Sequence, residues 1–226
     1  MSDTGLAALY PFLNRQAQDP DQLAATLLDS VATKAEESRA ASMRFFAEQG
    51  GALVAAAQAM AHMWRSGGKL FAMGNGGSSC DASHITVEFL HPITAGRPAL
   101  PAVDLGADRA MISAIGNDVG FDQIFARHLI AHARAGDGLI GFSTSGNSAN
   151  LLAAFAVARE RGLVTFGLAG GDGGRMKSSG LVEHCLVVET SSVHRIQECH
   201  VAAYHILWDL VHTLLADARG SAGGAP

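Results

Sequence analysis

Basic runs, long apolar stretches and paired cysteines are all missing from this chain. Its 226 residues carry 16 Lys and Arg against 21 Asp and Glu, a net charge of -5. With no basic cluster, nothing offers the cationic surface that nucleic acid requires. No apolar stretch approaches the roughly 18 residues of a membrane span, and the N-terminus lacks a signal-peptide pattern. A soluble, cytoplasmic protein is therefore expected. Its three cysteines, Cys80, Cys185 and Cys199, are odd in number and have no CxxC spacing. Reduced thiols packed against other elements are expected rather than a disulfide framework. Charged residues make up only 16% of the chain and apolar ones 48%, enough for one sizeable core plus a terminal appendage.

Against these absences stands a hydroxyl-rich turn, Ser143-Thr144-Ser145-Gly146-Asn147-Ser148. The apolar run Leu139-Ile140-Gly141-Phe142 enters it, and a helical pattern from Leu151 to Arg161 leaves it. A helix N-terminus offers free backbone N–H groups and the positive end of the helix dipole, and the hydroxyls add donors for an anion. An ordinary cap would need only one of the four hydroxyls. A second loop, Gly74-Asn75-Gly76-Gly77-Ser78-Ser79, follows the apolar run Lys69 to Met73 and precedes a helical pattern over Cys80 to Leu90. No Walker lysine follows, and the spacing is not G-x-G-x-x-G, which excludes a P-loop NTPase and a nicotinamide site. Two such loops at strand ends point to a small phosphorylated ligand.

Along the chain, Met1 to Asp19 reads as a tail ending at Asp19-Pro20. Two helices are expected next, about Asp21 to Glu48 and Ala52 to Ser66, the second stopped by Gly67-Gly68. The first places Leu23, Leu27, Val31, Ala35, Met43 and Phe46 near one face, a stripe that needs a partner. From Lys69 onward strands alternate with helices. Strands are expected at Leu70 to Met73, Ala102 to Leu105, Leu139 to Phe142, Val164 to Leu168 and Glu183 to Val188. Helices are expected at Arg109 to Ile115, near Arg175, and from Arg195 to Ala218. This alternation implies an α/β fold, a doubly wound parallel sheet with N-terminal helices, whose ligands bind at the carboxyl ends of the strands. The expected division is a tail and helical lead-in over 1–44, the α/β domain over 45–218 and a disordered Gly/Ala/Pro tail over 219–226.

His84 and Glu88 are four residues apart on the helix after the glycine loop, so they share a face. Such a pair either stabilises a helix surface or holds an ion or a substrate edge, and the adjacent loop favours the second. His194, His200, His205 and His212 recur on the last helix; three of the four are expected to be merely packed or partly exposed.

Taken together, these segments resemble the SIS (sugar isomerase) domain family, and within it the phosphoheptose isomerases, over roughly Phe45 to Leu215. The resemblance rests on five segments in order: Gly74-Asn75-Gly76-Gly77-Ser78, His84-x-x-x-Glu88, Gly116-Asn117-Asp118-x-Gly120-Phe121, Ser143 through Asn150, and Arg195-Ile196-Gln197-Glu198 with His205 eight residues after Gln197. It implies a flavodoxin-like or Rossmann-like sandwich and an aldose-ketose isomerase acting on sedoheptulose 7-phosphate. It further implies that Ser143, Thr144, Ser145 and Ser148 bind the phosphate. Asn75, Gly76, Gly77, Asn117, Asp118 and Gln197 would meet the sugar. Glu88 and His205 would transfer protons, and His84, Glu88, Gln197 and His205 would bind zinc. A homotetramer with active sites at subunit interfaces is also implied.

The chemistry suits those residue types. Moving a carbonyl between carbons 1 and 2 needs a base for a weakly acidic C–H, a relay between the oxygens and a group to hold enediolate charge. A desolvated carboxylate, an imidazole and a cation or amide meet the three needs. Geometry adds a condition: eight residues of helix rise about 12 Å, so Gln197 and His205 of one chain strain to meet on one ion. Either Gln197 lies at an irregular helix start or the ligands come from neighbouring subunits. The chain also departs from the family pattern. Where the isomerases follow the glutamate with a Leu-Thr-Gly-Arg type segment, this chain reads Glu88-Phe89-Leu90-His91-Pro92-Ile93. Arg97 and Arg109 are the cations that could take the missing arginine's place. Other SIS relatives serve as tetrameric scaffolds for the replication initiator, or as sugar-phosphate-sensing regulators. The first lack the glutamate and the last-helix histidine; the second add a DNA-binding domain. Glu88 and His205 favour the enzyme.

Overall fold

The computed structural model describes residues 20–222, and side chains over 21–216. The expected tail up to Asp19 and residues 223–226 lie outside the described residues. Two compact units divide at Ala40 and Ala41. Helix α1, Pro20–Arg65, supplies the described part of the first unit and opens the second. In the first, Leu23, Leu27, Leu28 and Val31 are all exposed.

The second unit is built on five parallel strands: β1 (Leu70–Gly74), β2 (Ala102–Asp104), β3 (Gly138–Ser143), β4 (Val164–Gly170) and β5 (His184–Val188), in the order β2-β1-β3-β4-β5. Between them run α2 (Gly77–Leu90), α3 (Arg109–Asp118), a 3-10 turn (Phe121–Gln123), α4 (Ile124–His132), α5 (Ala149–Glu160) and α6 (Gly174–Ser178), with α7 (Val193–Ala222) last. Side-chain alternation along each strand divides the core in two. Leu70, Ala72, Ile140, Phe142, Phe166 and Leu168 pack with α1, α2 and α7. Phe71, Met73, Leu139, Ala169 and Val187 pack with α3 to α6. A Cβ at Gly141 on β3 would stand 2.7 Å from the Phe155 ring, so glycine there lets α5 approach the sheet. The winding reverses between β1 and β3, and that switch point is where both loops emerge.

Several element bounds differ from the expectation. Helix α1 runs unbroken through Gly50 and Gly51, which have no positive φ and open space beside them. Phe45 on one side of that pair and Leu53, Ala57 and Met60 on the other are all buried, and this packing outweighs about 1 kcal/mol of helix propensity lost per glycine. Helix α2 begins at Gly77, not Cys80, and α3 continues to Asp118. Helix α4 was not anticipated, being only nine residues long; its buried Phe125, Ala126 and Leu129 fix it by tertiary contact. Helix α7 extends past Ala218 to Ala222. Among the described residues no helix is long and apolar enough to cross a membrane.

Buried inside α7, His200 donates from Nε2 to the Ala169 carbonyl at 3.2 Å. Burial pushes its imidazole down to about 4, with the hydrogen bond opposing. A depressed folded pKa means that the unfolded chain takes up the proton first. His200 therefore withdraws stability as pH falls from about 6.5 toward 4, by roughly 3 kcal/mol at most. Asp81, pushed up to about 6 by burial, acts in the opposite sense as pH rises from about 4. His200→Gln keeps a donor for Ala169 without titrating in this range. Urea unfolding should show a smaller acid-side loss for the variant than for the parent; equal slopes would mean that His200 is not the group responsible.

Candidate active site

The serine loop leaves β3 and enters α5. Ser143 Oγ lies 3.1 Å from Ser148 Oγ and accepts from the Gly146 N–H at 3.2 Å, while Ser145 Oγ accepts from Asn147 N at 3.2 Å. Ser148 occupies the N-cap position without a side-chain bond to the helix, so the simple capping reading does not describe it. Thr144 is half-buried beside it. Gly146 has a φ of +64°, and a Cβ there would collide with the Gly173 carbonyl oxygen, so the loop closes against the segment before α6. Met176 N donates to Gly146 O at 2.9 Å and Arg175 N to Asn147 Oδ1 at 3.0 Å, holding that contact. The result is a rigid turn of hydroxyls at the positive end of a helix.

The glycine loop leaves β1 and enters α2. Asn75 and Asn150 exchange side-chain hydrogen bonds of 2.9 and 2.8 Å, tying this loop to the start of α5. Gly76 is exposed, and a Cβ at Gly77 would collide with the Gln197 amide. Asn117 and Asp118 close α3, where the Asn117 amide donates to Asp118 at 2.7 Å. Among the described residues neither hydrogen-bonds to the two loops.

His84, Glu88 and His205 come together. Each offers one ligand atom, and these atoms all lie within 4.8 Å of one another. His84 Nε2 is 3.1 Å from Glu88 Oε1; the two side chains retain 44% and 22% of their exposure, leaving room for a ligand. The second ring nitrogen of His84, Nδ1, is 2.7 Å from the Tyr204 hydroxyl. The rings of His84 and His205 meet edge to face at 5.1 Å. Burial, and then the neighbouring His84, hold the His205 imidazole below its usual range, with Glu88 opposing. Both causes favour the neutral form of His205, the state that accepts a proton or ligates a metal.

Gln197 lies apart from this trio. Helix α7 is continuous from Val193, so the eight residues separating Gln197 from His205 span about 12 Å. Gln197 faces the first residue of α2, whereas His84 and Glu88 are seven and eleven residues further along it. Of the other α7 histidines, His200 and His212 are buried and His194 is exposed. The 91–101 segment supplies no free guanidinium: Arg97 is paired with Asp209 at 2.6 Å and stacks over Trp208. Arg109 opens α3. Tyr204, Asn150 and Trp208 were missed by sequence reasoning. Tyr204 immediately precedes His205, and Asn150 lies within the serine-loop motif, but neither spacing reveals a partner 75 or 120 residues away.

The fold thus joins a parallel sheet with two glycine- and hydroxyl-rich loops at its switch point to an imidazole–carboxylate trio further along the helix that leaves one of them. Residues 35–170 match the SIS domain family. The chain is 43% identical over 188 residues to a phosphoheptose isomerase of Solidesulfovibrio magneticus, covering 83% of this chain and 91% of that one. It is 46% identical over 160 residues to one of Geobacter sp., covering 71% and 82%. The structure of a phosphoheptose isomerase from Francisella tularensis superposes with a TM-score of 0.79 at 34% identity, covering 82% of this chain and 98% of that one. One from Neisseria gonorrhoeae gives 0.77 at 36%, covering 83% and 99%. The chain belongs to the SIS domain family and, within it, to the phosphoheptose isomerases, a family of isomerase enzymes.

The Tyr204 hydroxyl holds the orientation of the His84 ring, and burial pushes its own ionisation up, keeping it a neutral phenol. Tyr204→Phe should lower turnover about ten- to hundredfold while changing unfolding free energy by only about 1 kcal/mol. Steady-state kinetics beside denaturant unfolding would check this; unchanged turnover would deny Tyr204 any part in the site.

Proposed function

We propose that this chain interconverts sedoheptulose 7-phosphate and D-glycero-D-manno-heptose 7-phosphate through an enediol. The observation that carries the reading is the convergence of His84, Glu88 and His205 from α2, the helix that leaves the glycine loop, and α7. The phosphate is held by Ser143, Thr144, Ser145 and Ser148 with the α5 dipole. Asn75, Gly76, Gly77, Asn117, Asp118 and Gln197 meet the sugar hydroxyls. Glu88 removes the proton from carbon 1 and returns one to carbon 2. His205 carries a proton from the carbon 1 hydroxyl to the carbon 2 oxygen, so the product is an isomer with no net gain or loss.

The trio also fits zinc. Tetrahedral coordination at about 2.0–2.1 Å separates ligand atoms by about 3.4 Å, within a small side-chain adjustment of the observed spacing. If His84 Nδ1 carries the ring proton and donates it to Tyr204, Nε2 is free as a donor to the metal. His84, Glu88 and His205 would hold the ion, with Gln197 as the fourth ligand. When bound, zinc supplies Lewis-acid polarisation of a substrate oxygen. The length of α7 between Gln197 and His205 supports a shared site in which neighbouring subunits each contribute ligands. The exposed Leu23, Leu27, Leu28 and Val31 support a homotetramer joined through α1.

Glu88→Gln keeps the side chain's shape and loses the base. Turnover should drop about 10² to 10⁴-fold while phosphosugar affinity stays near the parent value. Proton exchange at carbons 1 and 2, followed by NMR with five-, six- and seven-carbon ketose phosphates, tests both residue and substrate. Preference for a shorter sugar would remove the heptose assignment, and near-parental turnover of the variant would remove Glu88 as base. For metal and assembly, one chromatographic peak should show a tetramer by light scattering and about one zinc per chain by elemental analysis, with zinc lost in His84→Ala. A metal-free monomer would sink both proposals.

A further inference from the structure

Glu88 sits in the last turn of α2, where backbone carbonyls lack partners within the helix and must find them elsewhere. Val87 O accepts from His91 N at 2.8 Å, and Phe89 O from Leu100 N at 2.8 Å. The carbonyl of Glu88 itself accepts from the indole Nε1 of Trp208 at 2.8 Å. Trp208 lies three residues beyond His205 on α7, so one hydrogen bond joins the backbone of one proton-transfer residue to the turn that carries the other. Over the Trp208 ring stands the Arg97 guanidinium, 4.4 Å from its centroid, with Nη2 bonded to Asp209 Oδ1 at 2.6 Å. Arg97 comes from the segment opened by His91-Pro92, where the family's arginine is absent.

We propose that Trp208 and Arg97 are positioning residues that hold Glu88 opposite His205. This rests on the reading of Glu88 as the base. The Trp208 bond acts on the peptide, so it sets where the Glu88 side chain starts regardless of its rotamer. Arg97 closes the third side of the triangle. It presses the post-helix segment onto the indole by cation–π stacking and an ion pair, and so keeps Trp208 oriented toward the end of α2. The side chain of Arg97 is only 24% exposed, which spares the stack much of the solvent screening of a surface pair. Misplacing a catalytic group by about 1 Å can cost about 10²-fold in rate, so a modest contact at this position has a large lever.

The test uses the full chain with sedoheptulose 7-phosphate. Trp208→Phe keeps an aromatic ring, though a smaller one, and removes the N–H; Arg97→Met removes the charge; Arg97→Lys keeps it. Trp208→Phe and Arg97→Met should each lower kcat about tenfold with KM within about twofold of the parent, and Arg97→Lys should recover most of the loss. If Trp208→Phe fails to fold, the half-buried Arg97→Met decides by the same split. Parental kcat in both, or losses in kcat that follow melting temperature and are not recovered by lysine, would overturn the proposal. Glu88→Gln runs alongside: its inactivity with parental kcat in the other variants sinks the clamp alone. Its near-parental turnover sinks the base reading and the clamp with it.

Discussion

A cyclic pair of amides, Asn75 with Asn150, is the contact on which the geometry of the site depends. Each side chain donates to the other's oxygen, and Asn150 is only 3% exposed, so neither bond has water as an easy substitute. The sheet ladder pairs Gly74, the last residue of β1, with Phe142, one short of the end of β3, and fixes the spacing of the two strands to that point. Beyond that point the chains diverge into two loops, and the amide pair carries the register across the gap. Helix α2, with His84 and Glu88, leaves one loop; α5, whose dipole faces the serine hydroxyls, leaves the other. The spacing between the starts of α2 and α5 is thus set by strand pairing and then by two hydrogen bonds.

Helix α7 completes the arrangement from far along the chain. Ile196, Cys199, Ala203, Tyr204, Leu207 and Val211 form its buried stripe, placing it across α2 and the sheet. His205 stands at the edge of that stripe, adjacent in sequence to a buried tyrosine and exposed itself. The stripe fixes the rotation of the helix, and the rotation decides that His205, rather than His194, His200 or His212, meets His84. Burial of His200 in the same stripe requires it to stay neutral and to spend its N–H on a backbone carbonyl.

What could be read from the sequence follows the range of the contacts. The two loops were legible because the glycine, serine and asparagine residues that make them are contiguous, and His84 with Glu88 because four residues is one helical turn. The sheet was legible from alternating apolar runs. Tyr204, Trp208 and Arg97 were not, since their partners lie 120 and 112 residues away and no local pattern encodes such contacts. His205 stood out from its neighbouring histidines only through the family resemblance. The gap expected in α1 failed for the opposite reason: Gly50-Gly51 carries a real local penalty, which packing on both sides of it overrides.

The departure after Glu88 shows how the cost of losing an arginine can be redistributed. Pro92 prevents the α2 backbone from continuing helically, and His91 leaves helical geometry at φ -136° while its N–H still satisfies Val87. A cation further along the segment, Arg97, is neutralised by Asp209 and lies flat on an indole. Its charge is therefore committed to tying the segment to α7 rather than free for a ligand. The groups that the serine loop itself displays are neutral: hydroxyls, an amide and the N–H groups at the start of α5. Neutral donors of this kind are oriented by their own hydrogen bonds before any ligand arrives, and they add no full positive charge to the field around His205. Desolvation and the neighbouring His84 already hold that imidazole below its usual range, with only Glu88 opposing.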